Sequence, residues 1–384
     1  MNKMKETIHV LGIASYRFLP PITGGQKGIA LFYKYFSRLV ECYCASVKDI
    51  PVEAKEGDYT LLPIFSNSKF RYINPIYFFS LRKIIREKGI SHVILEHPYY
   101  GWLGLLLKKF TGIKLIVHSH NIEGLRFRSL GKWWWKILFF YEKKTHQEAD
   151  ISFFITEEEK QFAIRHFQLE ERKCTTITFG TEAEKPVSRE DKIIAKKTVC
   201  SRYGMPESTP LLFFNAAFNY APNLKALDNI LSNVNPLLLE SGQPYQIIIC
   251  GIDLPNRYEK LTQNKYANIT YAGFVPDIRL YFNAADIFLN PITEGGGIKT
   301  KVVEALAANC SVVSFRQGAY GIPAEAAGHK LFVAEDNNYS QFSTGILKLM
   351  REKETDTPDS FFSYFHWEKI TEKAKNMIVT SLSD

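Results

Sequence analysis

Long hydrophobic runs are missing from this 384-residue sequence: no apolar stretch reaches the roughly 18 residues that cross a bilayer, which predicts no membrane-spanning helix. Cysteine is sparse and dispersed. Cys42, Cys44, Cys174, Cys200, Cys250 and Cys310 form no Cys-x-x-Cys pair and no Cys/His cluster, which argues against a disulfide framework or a thiolate metal site and points to a reducing, cytoplasmic compartment. No Asp-x-Asp pair occurs, so common carboxylate ligands of a hard cation are absent, and neither a metal nor a cofactor is expected. Met1-Asn-Lys-Met-Lys-Glu-Thr leads straight into a strand-like stretch, without the apolar core and cleavage site of an export signal, so export is not expected.

What is present has the balance of a globular protein: 46% hydrophobic and 23% charged residues exclude disordered and fibrous classes. The length calls for two domains, each able to bury its own core. Charge is lopsided. Residues 1–181 hold 27 Lys+Arg against 17 Asp+Glu, whereas the remainder holds 21 against 23. A basic first half points to an anionic partner surface such as phospholipid headgroups, nucleic acid or a diphosphate-bearing molecule, or else to a solvated basic face with no dedicated partner; of these, nucleic acid is not an expected partner.

Along the chain, short β-like runs alternate with helical spacing: His9-Val-Leu-Gly-Ile-Ala, Gly28 to Leu39, His92-Val-Ile-Leu-Glu, Leu115-Ile-Val-His and Ile151-Ser-Phe-Phe-Ile. That alternation predicts a doubly wound parallel sheet. It breaks near Thr178-Phe-Gly-Thr, passes a charged stretch from Glu182 to Arg202, and restarts with Pro210-Leu-Leu-Phe-Phe, Gln246-Ile-Ile-Ile-Cys-Gly, Asn268-Ile-Thr-Tyr-Ala-Gly, Asp286-Ile-Phe-Leu-Asn and Ser311-Val-Val-Ser-Phe. Two α/β domains in series are the result. The segment Trp133-Trp-Trp-Lys-Ile-Leu-Phe-Phe-Tyr141, flanked by Arg126, Arg128, Lys132, Lys143 and Lys144, reads as an amphipathic helix that either meets an anionic membrane or turns its rings to the core.

The chemistry concentrates where Asp286-Ile-Phe-Leu-Asn-Pro-Ile gives way to Thr293-Glu-Gly-Gly-Gly-Ile-Lys-Thr-Lys and then to helix-forming Val-Val-Glu-Ala-Leu. A glycine-rich turn from a strand into a helix offers bare backbone N–H groups to phosphate. Lys299 and Lys301 lie in or beside the first turn, where cations oppose the helix dipole unless an anion is bound. Glu304, about one turn on, suits a carboxylate accepting from ribose hydroxyls. A purely structural connection has the same outline.

Gly295-Gly-Gly-Ile-Lys-Thr-Lys-Val-Val-Glu-Ala-Leu-Ala-Ala together with Ser311-Val-Val-Ser resembles the donor-nucleotide loop of glycosyltransferase family 4, retaining enzymes of the GT-B fold, in the variant that replaces the first of two glutamates by glycine, here Gly296. Asn215-Ala-Ala-Phe-Asn-Tyr-Ala-Pro-Asn and Tyr271-Ala-Gly-Phe-Val-Pro-Asp resemble further motifs of that family. Ala216 and Ala217 depart from its usual Gly-Arg, which shifts diphosphate binding onto Lys299, Lys301 and the loop amides. In the first half, Thr23-Gly24-Gly25 resembles the family's glycine loop after the first strand, and His118-Ser-His120-Asn-Ile-Glu123 resembles its His-Asn-x-Glu stretch, where a histidine lies near the transferred sugar.

The resemblance implies a GT-B fold of two Rossmann-like doubly wound parallel-sheet domains facing across a cleft: residues 1–185 for the acceptor, 186–365 for the nucleotide-sugar donor, and a terminal helix, 366–384, returning to the first. It implies transfer of a sugar with retention from a nucleoside-diphosphate sugar to a glycan or lipid-linked glycan, in bacterial surface polysaccharide or lipopolysaccharide synthesis, with possible peripheral contact of the first domain with an anionic membrane at the inner face. His120, with His118 as alternative, and Lys301 are the implied catalytic residues. Gly24, Gly25, Gly273, Val275, Gly295, Gly296, Gly297, Ile298, Lys299, Lys301 and Glu304 are the implied donor contacts. A nucleotide-sugar epimerase and a catalytically silent glycan-binding relative are the rival readings.

Overall fold

The computed structural model of the chain describes residues 8–263, 265–353 and 355–380. The chain divides into two compact units, one formed by residues 1–180 and 365–384 and the other by 181–364.

The first unit is built on β1 (His9–Ala14), β2 (Glu41–Val47), β3 (Thr60–Phe65), β4 (His92–Glu96), β5 (Lys114–Ser119), β6 (Ile151–Phe154) and β7 (Cys174–Thr176), all parallel, in the order β3-β2-β1-β4-β5-β6-β7. β4 and β6 are buried at every residue, as expected of parallel strands covered on both faces. The helices that matter here are α1 (Gly24–Phe36), α2 (Ile76–Glu87), α3 (Gly101–Thr111), α4 (Glu123–Ser129) and α5 (Trp135–Glu148). Thr23 caps α1 in a reciprocal capping box with Gln26, which fixes where the loop after β1 becomes helix. Right-handed crossovers place α1 on one face of the sheet and α2, α3 and α5, whose connections run the other way, on the opposite face.

The C-terminal helix, Trp367–Thr380, belongs to this unit and packs against α1. Arg38 reaches Glu368 at 3.0 Å, and Gly180 lies so close to this segment that a Cβ there would meet the Phe365 carbonyl oxygen at 2.6 Å. The helix expected over Trp133–Tyr141 begins only at Trp135. Trp133 stands 84% exposed in the preceding turn, Trp134 packs on Phe127 and Trp135 on Phe139. The triplet is thus divided between solvent and protein.

The second unit carries β8 (Leu211–Ala217), β9 (Gln246–Ile252), β10 (Ile269–Gly273), β11 (Ile287–Asn290), β12 (Ser311–Phe315) and β13 (Leu331–Ala334), again parallel, in the order β10-β9-β8-β11-β12-β13. Its core includes a cluster of aliphatic and aromatic side chains with Phe214, Leu227, Ile247, Leu289 and Phe342. In both units the strand order reverses beside the first strand, and loops leaving the carboxyl ends there flank the crevice where ligands bind in open α/β sheets. No helix among the described residues is long and apolar enough to cross a membrane.

Candidate active site

In the second unit the reversal lies between β8 and β11, and the glycine segment is the loop leaving β11. Gly295 and Gly297 have φ of 92° and 66°, the left-handed region where a side chain is strained, so glycine is required for the path of the loop. The resulting turn points three carbonyls inward: Lys299 Nζ donates to the oxygens of Gly295, Gly296 and Gly297 at 3.2, 3.1 and 3.0 Å. Gln317 Nε2 adds a bond to the Gly295 oxygen at 3.0 Å. Lys299, expected to meet a diphosphate, therefore braces the loop.

Lys301 reaches across to β8, where its Nζ donates to the Asn215 carbonyl at 2.5 Å. Glu304 follows on the helix Thr300–Ala307, and half-buried Ile298 precedes it. Two polar atoms beside this cradle, Asn215 Oδ1 and Thr293 Oγ1, are buried without a hydrogen-bond partner, an arrangement suited to a ligand that supplies donors. Glu294 points away into an ion pair with Lys225 and stays half exposed. Gly273 ends the edge strand β10, two strands from β8, and half-buried Val275 follows it; no hydrogen bond joins them to the glycine loop among the described residues.

In the first unit the corresponding crevice lies between β1 and β4. Gly24 and Gly25 open α1 there with ordinary negative φ, so they matter for leaving the helix start bare. Gly28, one turn further, brings α1 against His120, whose ring lies within 4.0 Å of where a Gly28 Cβ would be. Parallel pairing sets Glu96, the last residue of β4, opposite His118 on β5, and strand alternation returns His120 to the same side as His118.

The result is a buried carboxylate–imidazole cluster. Glu96 Oε2 meets His120 Nε2 at 2.7 Å, and Oε1 accepts from the Tyr33 hydroxyl at 2.8 Å. Tyr33 reaches it only because β1 has Gly12, where a Cβ would lie 2.2 Å from the Tyr33 oxygen. Beside it, Glu123 Oε1 accepts from His97 Nδ1 at 3.1 Å, Glu123 Oε2 accepts from Tyr99 and Arg126, and Tyr16 Oη lies 3.1 Å from His97 Nε2. The rings of His97 and His120 stack at 4.4 Å. His97 has φ of 69°, an uncommon conformation for a residue other than glycine and a form of strain concentrated at functional sites.

The electrostatics follow from burial and donors. Burial opposes the Glu96 charge, but His118 and His120 more than offset it and hold its pKa well below the ordinary carboxylate range. Glu123 is brought to about 2 against its own burial, chiefly by His97 and then by Arg126 and Tyr99. Burial, reinforced by His97, lowers His120 to about 4, so at neutral pH it is a neutral imidazole donating Nε2–H to Glu96. Nδ1 is then left with its lone pair for a ligand.

His118 is the interior member of the pair, packed on Phe32 and Phe153 with Nδ1 3.1 Å from Glu96 Oε2 but off the hydrogen-bonding direction. Glu96, His118 and His120 are also the one group of three potential metal ligands among the described residues, their ligand atoms within 4.8 Å of one another. Both Glu96 oxygens are already engaged by Tyr33 and His120. Sequence reasoning reached His120 and missed Glu96, His97, Tyr16 and Tyr33. The available signal was Glu96-His97 at the end of an apolar strand.

Comparison with known proteins agrees with this division. Residues 22–185 match the family described as "Glycosyltransferase Family 4" and residues 209–352 the family described as "Glycosyl transferases group 1". A chitobiosyldiphosphodolichol beta-mannosyltransferase of Debaryomyces hansenii is 22% identical over 302 residues, 72% of this chain and 64% of that protein, so the chain spans less than two thirds of that relative. A Rickettsia africae glycosyltransferase structure superposes with a TM-score of 0.71 at 16% identity, covering 99% of this chain and 100% of that one. The Anabaena HepE structure in complex with UDP-glucose does so with a TM-score of 0.68 at 12% identity, covering 97% and 100%. With two parallel-sheet α/β units of the GT-B type, each matched by its own transferase domain, this chain belongs to the glycosyltransferases of family 4.

Proposed function

We propose that the chain moves a sugar from a nucleoside-diphosphate sugar to a glycan or lipid-linked glycan acceptor, with retention at the anomeric carbon, in the synthesis of a bacterial surface polysaccharide or lipopolysaccharide. The observation that carries the donor half is the braced glycine loop of the second unit, beside which Lys301, Asn215 Oδ1 and Thr293 Oγ1 converge. The Anabaena HepE complexes with UDP and UDP-glucose support a nucleotide sugar as the ligand class.

In this reading Lys301, the loop amides and the start of the helix Thr300–Ala307 take the diphosphate, Glu304 the ribose hydroxyls, and His120 the sugar end. Gly273 and Val275 lie at the base, and Gly24 and Gly25 leave room for the phosphates. The bond from the anomeric carbon to the diphosphate oxygen breaks, its electron pair leaving with the diphosphate. The acceptor oxygen bonds to that carbon, and under retention its proton passes to the departing phosphate oxygen. Lys301 stabilises the developing charge and no metal is invoked.

One observation favours a second reading, inversion. The Glu96–His120 pair is a carboxylate-oriented neutral imidazole, able to take the acceptor proton on Nδ1. The anomeric coupling constant of the product separates the two. For the donor site, a panel of UDP-, GDP- and ADP-sugars is offered to the protein. Thermal protection by at least one of them, hydrolysis of it, and loss of both in Lys301→Ala are expected. No protection, no hydrolysis and an unaffected Lys301→Ala would refute the donor site, and conversion of the donor without any acceptor would instead mark an epimerase.

A further inference from the structure

A histidine that serves only the packing of a core has its ring nitrogens hydrogen-bonded. His146 is such a residue: buried in the first unit, it meets Ser119 Oγ at 2.9 Å through Nε2 and Ser152 Oγ at 2.8 Å through Nδ1. His118, on β5, is as deeply buried, yet neither its Nδ1 nor its Nε2 has a hydrogen-bond partner. A neutral imidazole always carries one N–H and one lone pair, so His118 holds a donor and an acceptor that nothing matches. Glu96 Oε2 lies 3.1 Å from His118 Nδ1, but off the direction of a hydrogen bond.

The atoms around that nitrogen form a ligand set. Glu96 Oε2 faces His120 Nε2 at 2.7 Å and His118 Nδ1 at 3.1 Å, and one ligand atom from each of the three residues lies within 4.8 Å of the other two. Bonds of about 2.0–2.1 Å to zinc at tetrahedral angles set ligand atoms about 3.3 Å apart, so both spacings about Oε2 need to open by less than an ångström, and turns of the two rings set the third. Two imidazoles and a carboxylate select zinc and its neighbours over magnesium and calcium, which take oxygen ligands. The outer shell is present as well: Oε1 keeps the Tyr33 hydroxyl at 2.8 Å, the kind of bond that orients a ligating carboxylate. His120 is 9% exposed, against 3% for His118 and 0% for the Glu96 side chain, so an ion enters past His120 from the crevice of the first unit.

We propose that Glu96, His118 and His120 bind a zinc-class divalent ion that acts as an inhibitor and not as a cofactor. Three protein ligands leave one position of the ion to water. An ion on His120 Nε2 replaces the hydrogen bond to Glu96, and the ring proton passes from Nε2 to Nδ1. The imidazole stays neutral, and the lone pair offered to the substrate is gone. The inhibition rests on the preceding reading of His120, whereas the binding does not and is measured with no donor present.

The experiment treats the full chain with a chelator, removes it, and titrates the protein with zinc chloride, with cobalt(II) as a coloured stand-in, and with magnesium chloride. Binding of zinc, visible absorption from cobalt in a nitrogen–oxygen site, and no response to magnesium are expected. Nitrogen-15 spectra of labelled histidines in the parent protein should show His118 and His120 shifting together as zinc is added, with the His120 proton moved to Nδ1. Losing an outer partner costs about 10–100-fold in metal affinity, the effect expected of Tyr33→Phe, and His118→Gln, which removes a ligand, should cost at least about a hundredfold. Zinc that leaves the nitrogens of His118 and His120 unshifted would overturn the proposal without any variant. So would a folded His118→Gln protein that binds zinc as tightly as the parent. Donor hydrolysis, assayed with the donor selected by the panel, should fall with the same zinc dependence, and hydrolysis that persists in the zinc-bound protein would overturn the inhibitory role. A parent that hydrolyses no donor would refute the transfer reading instead, and the spectra alone then decide the site.

Discussion

Replacing Glu96 by glutamine separates holding the fold together from setting a tautomer. The carboxylate is fully buried and receives Tyr33 at 2.8 Å and His120 at 2.7 Å, with His118 at 3.1 Å. Glutamine preserves the volume and one acceptor, and turns the other oxygen into an N–H donor. With the amide oxygen kept toward the Tyr33 hydroxyl, the bond with His120 survives if Nε2 becomes the acceptor, which moves the imidazole proton to Nδ1 and removes the lone pair offered to the substrate. Exchanging two charge-assisted bonds for neutral ones costs about 1–1.5 kcal/mol each, partly offset by burying no charge, so roughly 2 kcal/mol is expected. In a unit of this size that lowers the melting temperature by about 4–8 °C. Turnover should fall much further, by about a hundredfold to ten-thousandfold, the range seen when an orienting carboxylate becomes an amide and the histidine tautomer reverses. The assays are a thermal melt, transfer or donor hydrolysis with the donor selected by the panel, and nitrogen-15 spectra of labelled histidines that report which ring nitrogen of His120 carries the proton. A folded Glu96→Gln protein with activity within about threefold of the parent, or a parent His120 protonated on Nδ1, would refute the reasoning.

Other outcomes follow from the same geometry. Lys301→Ala should lower turnover about a hundredfold, as expected for losing one contact to developing charge of roughly 3 kcal/mol, and abolish thermal protection by the donor. Lys299→Met frees three glycine carbonyls, so the donor KM should rise about tenfold or more while the melting temperature changes little, which steady-state kinetics and a melt distinguish. Gly12→Ala forces Tyr33 off Glu96 and should cost about 1–3 kcal/mol in denaturant unfolding, with a fall in activity. His146, buried and neutral between Ser119 and Ser152, has its pKa lowered by burial to about 3. The unfolded chain therefore takes up the proton first as pH drops, so stability from this group is complete above about 6.5 and is lost toward 3, about 3 kcal/mol between pH 6.5 and 4. Denaturant midpoints across that range should show the loss, and His146→Phe should reduce the slope.

Most strands that sequence alone exposed, such as His92–Glu96 and Ile287–Asn290, are interior ones whose two covered faces demand an unbroken apolar run, the edge strand β10 being the exception. Those it did not expose are different in kind. β3 is an edge strand carrying Pro63, β7 is three residues long, β13 ends the other sheet, and β2 begins with an exposed glutamate and mixes Cys, Tyr and Ser with small residues. At the site, the glycine-lysine loop stood out in the sequence because its glycine and cation content is that of a candidate phosphate cradle. The inward turn of Lys299 was not, since it depends on the positive φ of Gly295 and Gly297 aiming carbonyls at the ammonium. The partnership of Glu96 with His118 and His120 was hidden for a related reason: it is created by the register of β4 on β5, which no local pattern specifies.

The C-terminal helix has a consequence for how the molecule is made. Residues 365–380 close the first unit over α1, and Gly180 has no side chain so that this segment can lie against it. Trp367, fully buried with Ile370 and Ala374, supplies part of a core whose remainder lies at the other end of the chain. During synthesis that core stays open while the whole second unit emerges and folds as a self-contained body. The half translated first is therefore the half completed last, and its unfinished apolar surface is the place where a nascent chain needs shielding.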